Sequence, residues 1–323
     1  FRCWREMGWQ LGDRLLVYYP KDTYNINDYE KFNSLSTLTG FHILLFDRID
    51  DQSVRNLVET MNRFKPRLLL IFPSPMNLVA HTIERLQLPL KHQPKYINVS
   101  GETFFDCQRA NIQRVFPKSK IEDSYGSVEL GEIAHEAKDG LRVFGNVAYV
   151  EQNETHDGQP EILLTRLHLT GFPFIRYQMR DIATVMRTDE ATYLQRIEGK
   201  DSNFILTPEG KRLYPSFFNA MVNAINEQTD NAIVEMKAFE KDQEHISLQF
   251  ILRSNQYEQN IRDQARTYIH QHASPAFQCA AQIVDHIDYD YRRKYRVIER
   301  VAEETEYAGG IVGNEEKMKR IAG

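Results

Sequence analysis

From Leu15 to Tyr125, short apolar runs alternate with longer stretches of helical period. Residues 15–19, 42–46, 67–72, 96–99 and 120–123 predict strands, while 51–64, 76–86 and 103–116 predict helices with charged outer faces. Alternation of this kind writes βαβ units and a mainly parallel sheet, so this half predicts a Rossmann-like layered α/β domain. Residues 1–12, with Trp4 and Trp9 among them, read as an amphipathic helix. Phe1 stands where a start Met would, so the chain is expected to begin mid-domain.

After Glu129 the period shortens. Strands are predicted at 132–135, 141–144, 148–151, 161–166, 175–177, 183–186 and 193–197, separated by Gly- and Asp-containing turns, which predicts an antiparallel or barrel-like β-rich subdomain. Beyond Gly199 the order is strand 204–206, helix 215–226, strands 232–239 and 245–252, helix 255–271 and strand 278–285. That βαββαβ string predicts a small ferredoxin-like α+β C-terminal domain. The division expected is a large domain over 1–199, a small mobile domain over 200–301 and a flexible tail over 302–323, where too little apolar surface remains to pack.

Composition narrows the function classes. The 323 residues are 41% hydrophobic and 26% charged, the profile of a globular protein with a sizeable core. Forty basic against 45 acidic residues leave a formal charge of −5 with no long basic run, which argues against nucleic acid as a partner. Cys3, Cys107 and Cys279 offer neither a disulfide framework nor metal-ligand spacing and fit a reducing cytoplasm. The longest apolar runs fall far short of the roughly 20 residues a membrane helix needs, so no membrane is expected.

Four segments carry candidate chemistry. Ser100-Gly101-Glu102 and Asp123-Ser124-Tyr125-Gly126-Ser127-Val128-Glu129 each follow an apolar strand and so sit at the carboxyl edge of the sheet, where open α/β sheets bind ligands. Glycine admits a close backbone approach, Tyr125 offers a stacking face, and Glu129 offers an oxygen for a hard cation. Taken bare, these are also ordinary loop residues. In the second segment, 171–181, Arg176, Arg180 and Asp181 gather around a short strand; Asp181 suits a ribose diol, and a surface Arg–Asp pair is the plain alternative. Arg196-Ile197-Glu198-Gly199-Lys200 lies where the β-rich part gives way to the small domain and reads as a hinge or as a simple Gly turn. The basic stretch 291–296, with Lys294, is a solvated face unless the small domain swings it into a cleft.

In their order and near their spacing, these motifs resemble the phenylacetate–CoA ligase and CapK-like branch of the adenylate-forming superfamily, over residues 67–300. The resemblance implies that Ser100, Gly101, Glu102, Ser124, Tyr125, Gly126 and Ser127 line the nucleotide pocket for ATP and AMP, with Tyr125 stacked on the base. It implies Asp181 on the ribose, Arg196 and Lys200 near the ribose and phosphates, Glu129 on Mg2+, and Lys294 as the lysine that offsets charge during attack. The implied reaction joins a small-molecule carboxylic acid to AMP and passes the acyl group to coenzyme A. A rotation of the small domain separates the two halves.

Departures from the pattern shape further expectations. The family's Ser/Thr/Gly-rich phosphate loop has no counterpart among residues 1–70 and is expected upstream of Phe1. Lys200 stands where Arg is usual, Ser202 and Asn203 replace an acidic hinge pair, and Gln178-Met179-Arg180 replaces Arg-Thr-Gly. His135-Glu136-Ala137 lacks the cysteine of a zinc site, so no zinc is expected. An apolar acid pocket is expected beside residues 72–76 and 130–133. Two other functions stay open: transfer to a carrier protein or another acceptor, and a non-catalytic AMP-binding module. A homodimer is the commonest assembly such a chain adopts.

Overall fold

The computed structural model describes residues 2–21, 33, 36–155, 158–168, 171–287 and 295–300, without the side chain of Arg196. Strands β1 (Leu15–Pro20), β2 (Phe41–Phe46), β3 (Leu68–Ile71), β4 (Tyr96–Ser100) and β5 (Lys120–Ser127) run parallel in the order β2-β1-β3-β4-β5. Their apolar residues face both ways because both faces are covered. On one side α1 (Arg2–Glu6) leads into Met7 and Trp9, which pack with Leu15, Val17, Leu68 and Leu70. After the short α2 (Ser36–Thr39), helices α3 (Asp51–Phe64), α4 (Pro73–Arg85) and α5 (Asp106–Val115) cover the other side, where Leu57, Met61, Val79 and Ile112 meet Leu69, Ile71 and Ile97. Helix α3 begins at a reciprocal cap, in which the Asp50 carboxylate accepts from Ser53 N–H and Ser53 Oγ accepts from Asp50 N–H.

Strand β5 changes the sheet's direction. It pairs in parallel with β4 and antiparallel with β6 (Gly131–Ala137), and the sheet continues through β7 (Gly140–Val143), β11 (Thr192–Lys200), β10 (Tyr177–Arg187), β9 (Pro160–Arg166) and β8 (Ala148–Glu154). The β-rich part is therefore antiparallel and continuous with the parallel half in one 11-stranded sheet, not a separate barrel. Ile133, Val150, Ile162, Leu164, Ala183 and Leu194 form its core. The two strands expected at 175–177 and 183–186 are one strand, β10, whose register shifts between Gln178 and Ile182.

The C-terminal unit is α+β as expected, but its strand string differs. β12 (Ile205–Leu206) forms a separate hairpin with β13 (Arg212–Leu213). The four-stranded sheet has the order β16-β15-β14-β17, built from β14 (Ile233–Glu240), β15 (His245–Leu252), β16 (Gln278–Ile283) and β17 (Ile298–Arg300). The run at 204–206 folds back on its neighbour because residues 207–211 close a tight turn, with Gly210 N–H donating to Thr207 O. β15 and β16 are parallel, which requires the crossover that α7 (Glu258–His272) supplies. Helix α6 (Pro215–Asn226) and α7 bury Phe218, Met221, Val222, Ile261 and Ile269 against Leu248 and Phe250.

The two units share their packing. Phe105 and Cys107, at the start of α5, belong to the small unit's core cluster, and Leu78 of α4 packs on Val234 and Ile251. No described helix is long and apolar enough to cross a membrane. The expected tail at 302–323 lies outside the described residues.

Leu57 is fully buried beneath α3, whereas Asp50 acts only on its first turn. Leu57→Ala is therefore expected to cost about 2–5 kcal/mol and Asp50→Ala about 1 kcal/mol, read from urea unfolding. Equal costs would contradict the packing described.

Candidate functional site

The carboxyl ends of β4 and β5 lie side by side, with Ser100 opposite Ser124. Gly101 takes φ 87°, a left-handed turn that glycine enters without strain, and the chain leaves the sheet there. Gly126 is needed for proximity: a Cβ at this position would lie 2.5 Å from Gly131 O, where the β5–β6 register shifts. That shift lets β5 leave its parallel partner and turn Tyr125 toward β10.

Tyr125, Asp181 and Lys200 then meet. Tyr125 O–H donates to Asp181 Oδ2 at 2.5 Å, and Lys200 Nζ lies 3.0 Å from Asp181 Oδ1 while donating to Met179 O at 2.8 Å. Asp181 and Lys200 face each other across the β10–β11 ladder, so the sheet register itself sets the pair. Burial, followed by the charge on Asp181, pushes the Tyr125 phenol well above its usual range, so it remains a donor. Glu129 sits exposed at the edge of this cluster, with Tyr177 O–H 3.4 Å from its Oε1. Its own backbone N–H and the Ser127 hydroxyl hold its carboxyl below the usual range, and Lys200 adds to this.

Some of the backbone's positive-φ strain lies here. Arg176 and Arg180 are non-glycine residues with φ 48° and 59°, on either side of the turn into β10. Arg180 Nε reaches Asp201 Oδ2 at 3.2 Å, tying β10 to the segment that leaves β11. Asp123, just before Ser124, has its carboxyl pushed up to about 7, by burial first and Glu136 second, with Arg109 opposing.

Other predicted site residues go elsewhere. The Glu102 carboxylate accepts from Ser74 N–H at 3.0 Å and from Tyr295 N–H at 2.9 Å, so it joins the N-terminus of α4 to the small unit. Ser124 Oγ accepts from Asn98 Nδ2 at 3.1 Å and is buried on the α1 side. Lys294 and the Arg196 side chain lie outside the described residues. The residues expected around an acid pocket are largely packed: Met76, Leu130 and Ile133 are core, and Phe72 stacks on Tyr19. Tyr177 was not assigned a role from sequence, since its contact with Glu129 depends on two loops converging. An open cleft of about 1000 Å³ lies between β10 and the β12–β13 hairpin. Ile182, Glu198, Lys211, Tyr214 and Phe217 line it, and Asp181 and Lys200 do not.

Among the described residues no three His, Cys, Asp or Glu side chains cluster to hold a metal. Glu129 alone, ionised and exposed, suits a hard cation that brings waters and phosphate oxygens as its remaining ligands.

No family model matches the chain, and no curated protein matches it in sequence. Among solved structures, a 2-hydroxyisobutyryl-CoA ligase in the postadenylation state with R3-HIB-AMP superposes with TM-score 0.70 at 15% identity, covering 94% of this chain and 68% of that one. The fold is that of the AMP-forming CoA ligases. An anthranilate CoA ligase in complex with anthranoyl-AMP gives TM-score 0.59 at 14% identity, covering 88% of this chain and 59% of that one. The amide bond synthetase McbA from Marinactinospora thermotolerans gives 0.55 at 12%, covering 86% and 59%. The hydroxyisobutyryl ligase in an open conformation gives TM-score 0.51 at 15% identity, covering 92% of this chain and 69% of that one.

Tyr125→Phe removes one donor from the carboxylate of Asp181, whose side chain is only 10% exposed. It is expected to lower stability by about 1.5–3 kcal/mol in urea unfolding. A loss under about 0.5 kcal/mol would show that the Tyr125–Asp181 bond contributes little.

Proposed function

We propose that this chain activates a small-molecule carboxylic acid with ATP, forming an acyl-adenylate and pyrophosphate, and passes the acyl group to coenzyme A. The observation that carries the reading is the Tyr125–Asp181–Lys200 cluster at the carboxyl edge of a sheet with the CoA-ligase fold. The proposed affiliation within that fold is the phenylacetate–CoA ligase and CapK-like branch, supported by the motif order from Ser100 to Lys294.

The proposed division is a large unit over 1–199 and a small moving unit over 200–301, with Gly199, at φ 118°, at the joint. Gly101, Ser100 and the face of Tyr125 bound the base, and Asp181 accepts from the ribose hydroxyls with the lone pairs that Tyr125 and Lys200 leave free. In the first half-reaction a carboxylate oxygen bonds to the α-phosphorus and the bond to pyrophosphate breaks. Lys200 holds positive charge beside the ribose and phosphates, and Lys294 is proposed to offset charge at the α-phosphate. Bound Mg2+ at Glu129 supplies electrostatic stabilisation of the phosphate oxygens. The three cysteines are all free, which supports placement in a reducing cytoplasm. The second reading, transfer to an amine or carrier protein, is favoured by one observation: an amide bond synthetase shares the fold.

The test measures pyrophosphate release with ATP, Mg2+ and a panel of carboxylic acids, alongside calorimetric AMP binding. Acid-dependent release is expected, with AMP affinity weakened about 10- to 100-fold in Asp181→Ala, equivalent to ~1.4–2.8 kcal/mol. Unchanged AMP affinity in that variant, or no release with any acid, would sink the reading. Thioester formed with coenzyme A, or its absence beside an amide product, separates the two acceptors.

A further inference from the structure

Glu235 is the charged residue least explained by the site above. It lies on β14 of the small unit, is fully buried, and touches no cation among the described residues. Its cage comes from the other unit. Asn77 Nδ2 of α4 donates to Oε2 at 2.9 Å, and Gln108 Nε2 of α5 donates to both oxygens at 3.1 and 3.3 Å. Met236 N–H adds a third donor at 3.2 Å. The cage is itself braced. Gln108 Nε2 lies 3.3 Å from Ser74 Oγ, and Asn111 Nδ2 donates to Asn77 Oδ1 at 2.7 Å.

We propose that Glu235 is a proton-linked latch, a positioning residue whose carboxyl takes up one proton from solvent when the small unit docks onto α4 and α5. The argument is a balance. Each of its hydrogen-bond partners is a donor, which favours carboxylate, yet the group is buried at the interface with no counter-charge among the described residues, which favours carboxylic acid. Burial prevails over the donors and raises the carboxyl from its ordinary 4.5 to about 7 in the docked state. Undocking carries β14 away from the amides and returns the carboxyl to water.

The surrounding groups reinforce this sign. Glu102, on the loop between β4 and α5, is a second carboxylate acting on Glu235, and it is the residue that Tyr295 N–H grips. Cys107 of α5 is a buried thiol pushed up by burial and then by Glu235, so it carries no compensating charge. Lys237, two residues along β14, pairs with Glu299 of β17 instead. Ser74, Asn77, Gln108 and Asn111 do not titrate. Because the docked carboxyl is raised above its free value, docking is strongest at low pH and weakens as pH climbs from about 4.5 through 7.

This inference rests on the proposed movement of the small unit and stands whether or not the chain forms an adenylate. The experiment follows the distance between spin labels on α3 and α7 from pH 6 to 8, using the full chain. For one proton with these two values, the docking constant is expected to fall about tenfold across that range. Glu235→Gln, which cannot ionise, is expected to hold it flat. Gln108→Met, which removes a donor to the carboxylate, is expected to make the fall steeper than in the unaltered chain. The proposal is overturned if the unaltered chain shows no pH dependence, if Glu235→Gln follows the same profile, or if Gln108→Met leaves the slope unchanged.

Discussion

The structure turns on β5, a strand with neighbours of opposite direction. On its β4 side it belongs to a parallel α/β layer whose strands all deliver their carboxyl ends to one edge. On its β6 side it opens an antiparallel sheet that returns to that edge from farther along the chain. Tyr125, at the junction, thereby meets Asp181 from a strand more than fifty positions later in sequence. The junction depends on Gly126, where any side chain would collide with the β6 backbone.

Asp181 is held in a demanding way: nearly buried, it has a phenol on one oxygen and an ammonium on the other. Two arginines in left-handed backbone conformations flank its approach, and the register of β10 slips beside it. Such strain persists where surrounding packing over-determines it, and here the β8–β9–β10–β11 core does so. The same edge carries the small unit, whose contacts are partly polar.

Local pattern made much of this legible. Helices 51–64 and 215–226 and strand 245–252 appear with the bounds their sequence period predicts, because each buries one stripe or face against its immediate neighbours. What pattern could not show depends on distant pairing. Residues 178–181 broke the apparent strand into two because a bulge puts polar residues where alternation expects apolar ones. Nothing in the sequence of the predicted strand 232–239 marks Glu235 as buried, and it is the helices of the other unit that cover it. Glu102 followed the nucleotide motif in sequence, yet its carboxylate is committed to Ser74 and Tyr295. The motif order pointed to the carboxyl edge of the sheet, where Tyr125, Asp181 and Lys200 meet, and tertiary contacts decided which side chains gather there.

We propose that an acyl-adenylate sits against the Tyr125–Asp181–Lys200 cluster. The most direct measurement is an experimental structure with a non-hydrolysable acyl-adenylate mimic, in which the carboxylate–phosphate link is replaced by a sulfamate. The adenine is expected beside Tyr125, both ribose hydroxyls on Asp181 and the linker near Lys200. Density for the mimic in the cleft beside the β12–β13 hairpin, with Asp181 uncontacted, would contradict it.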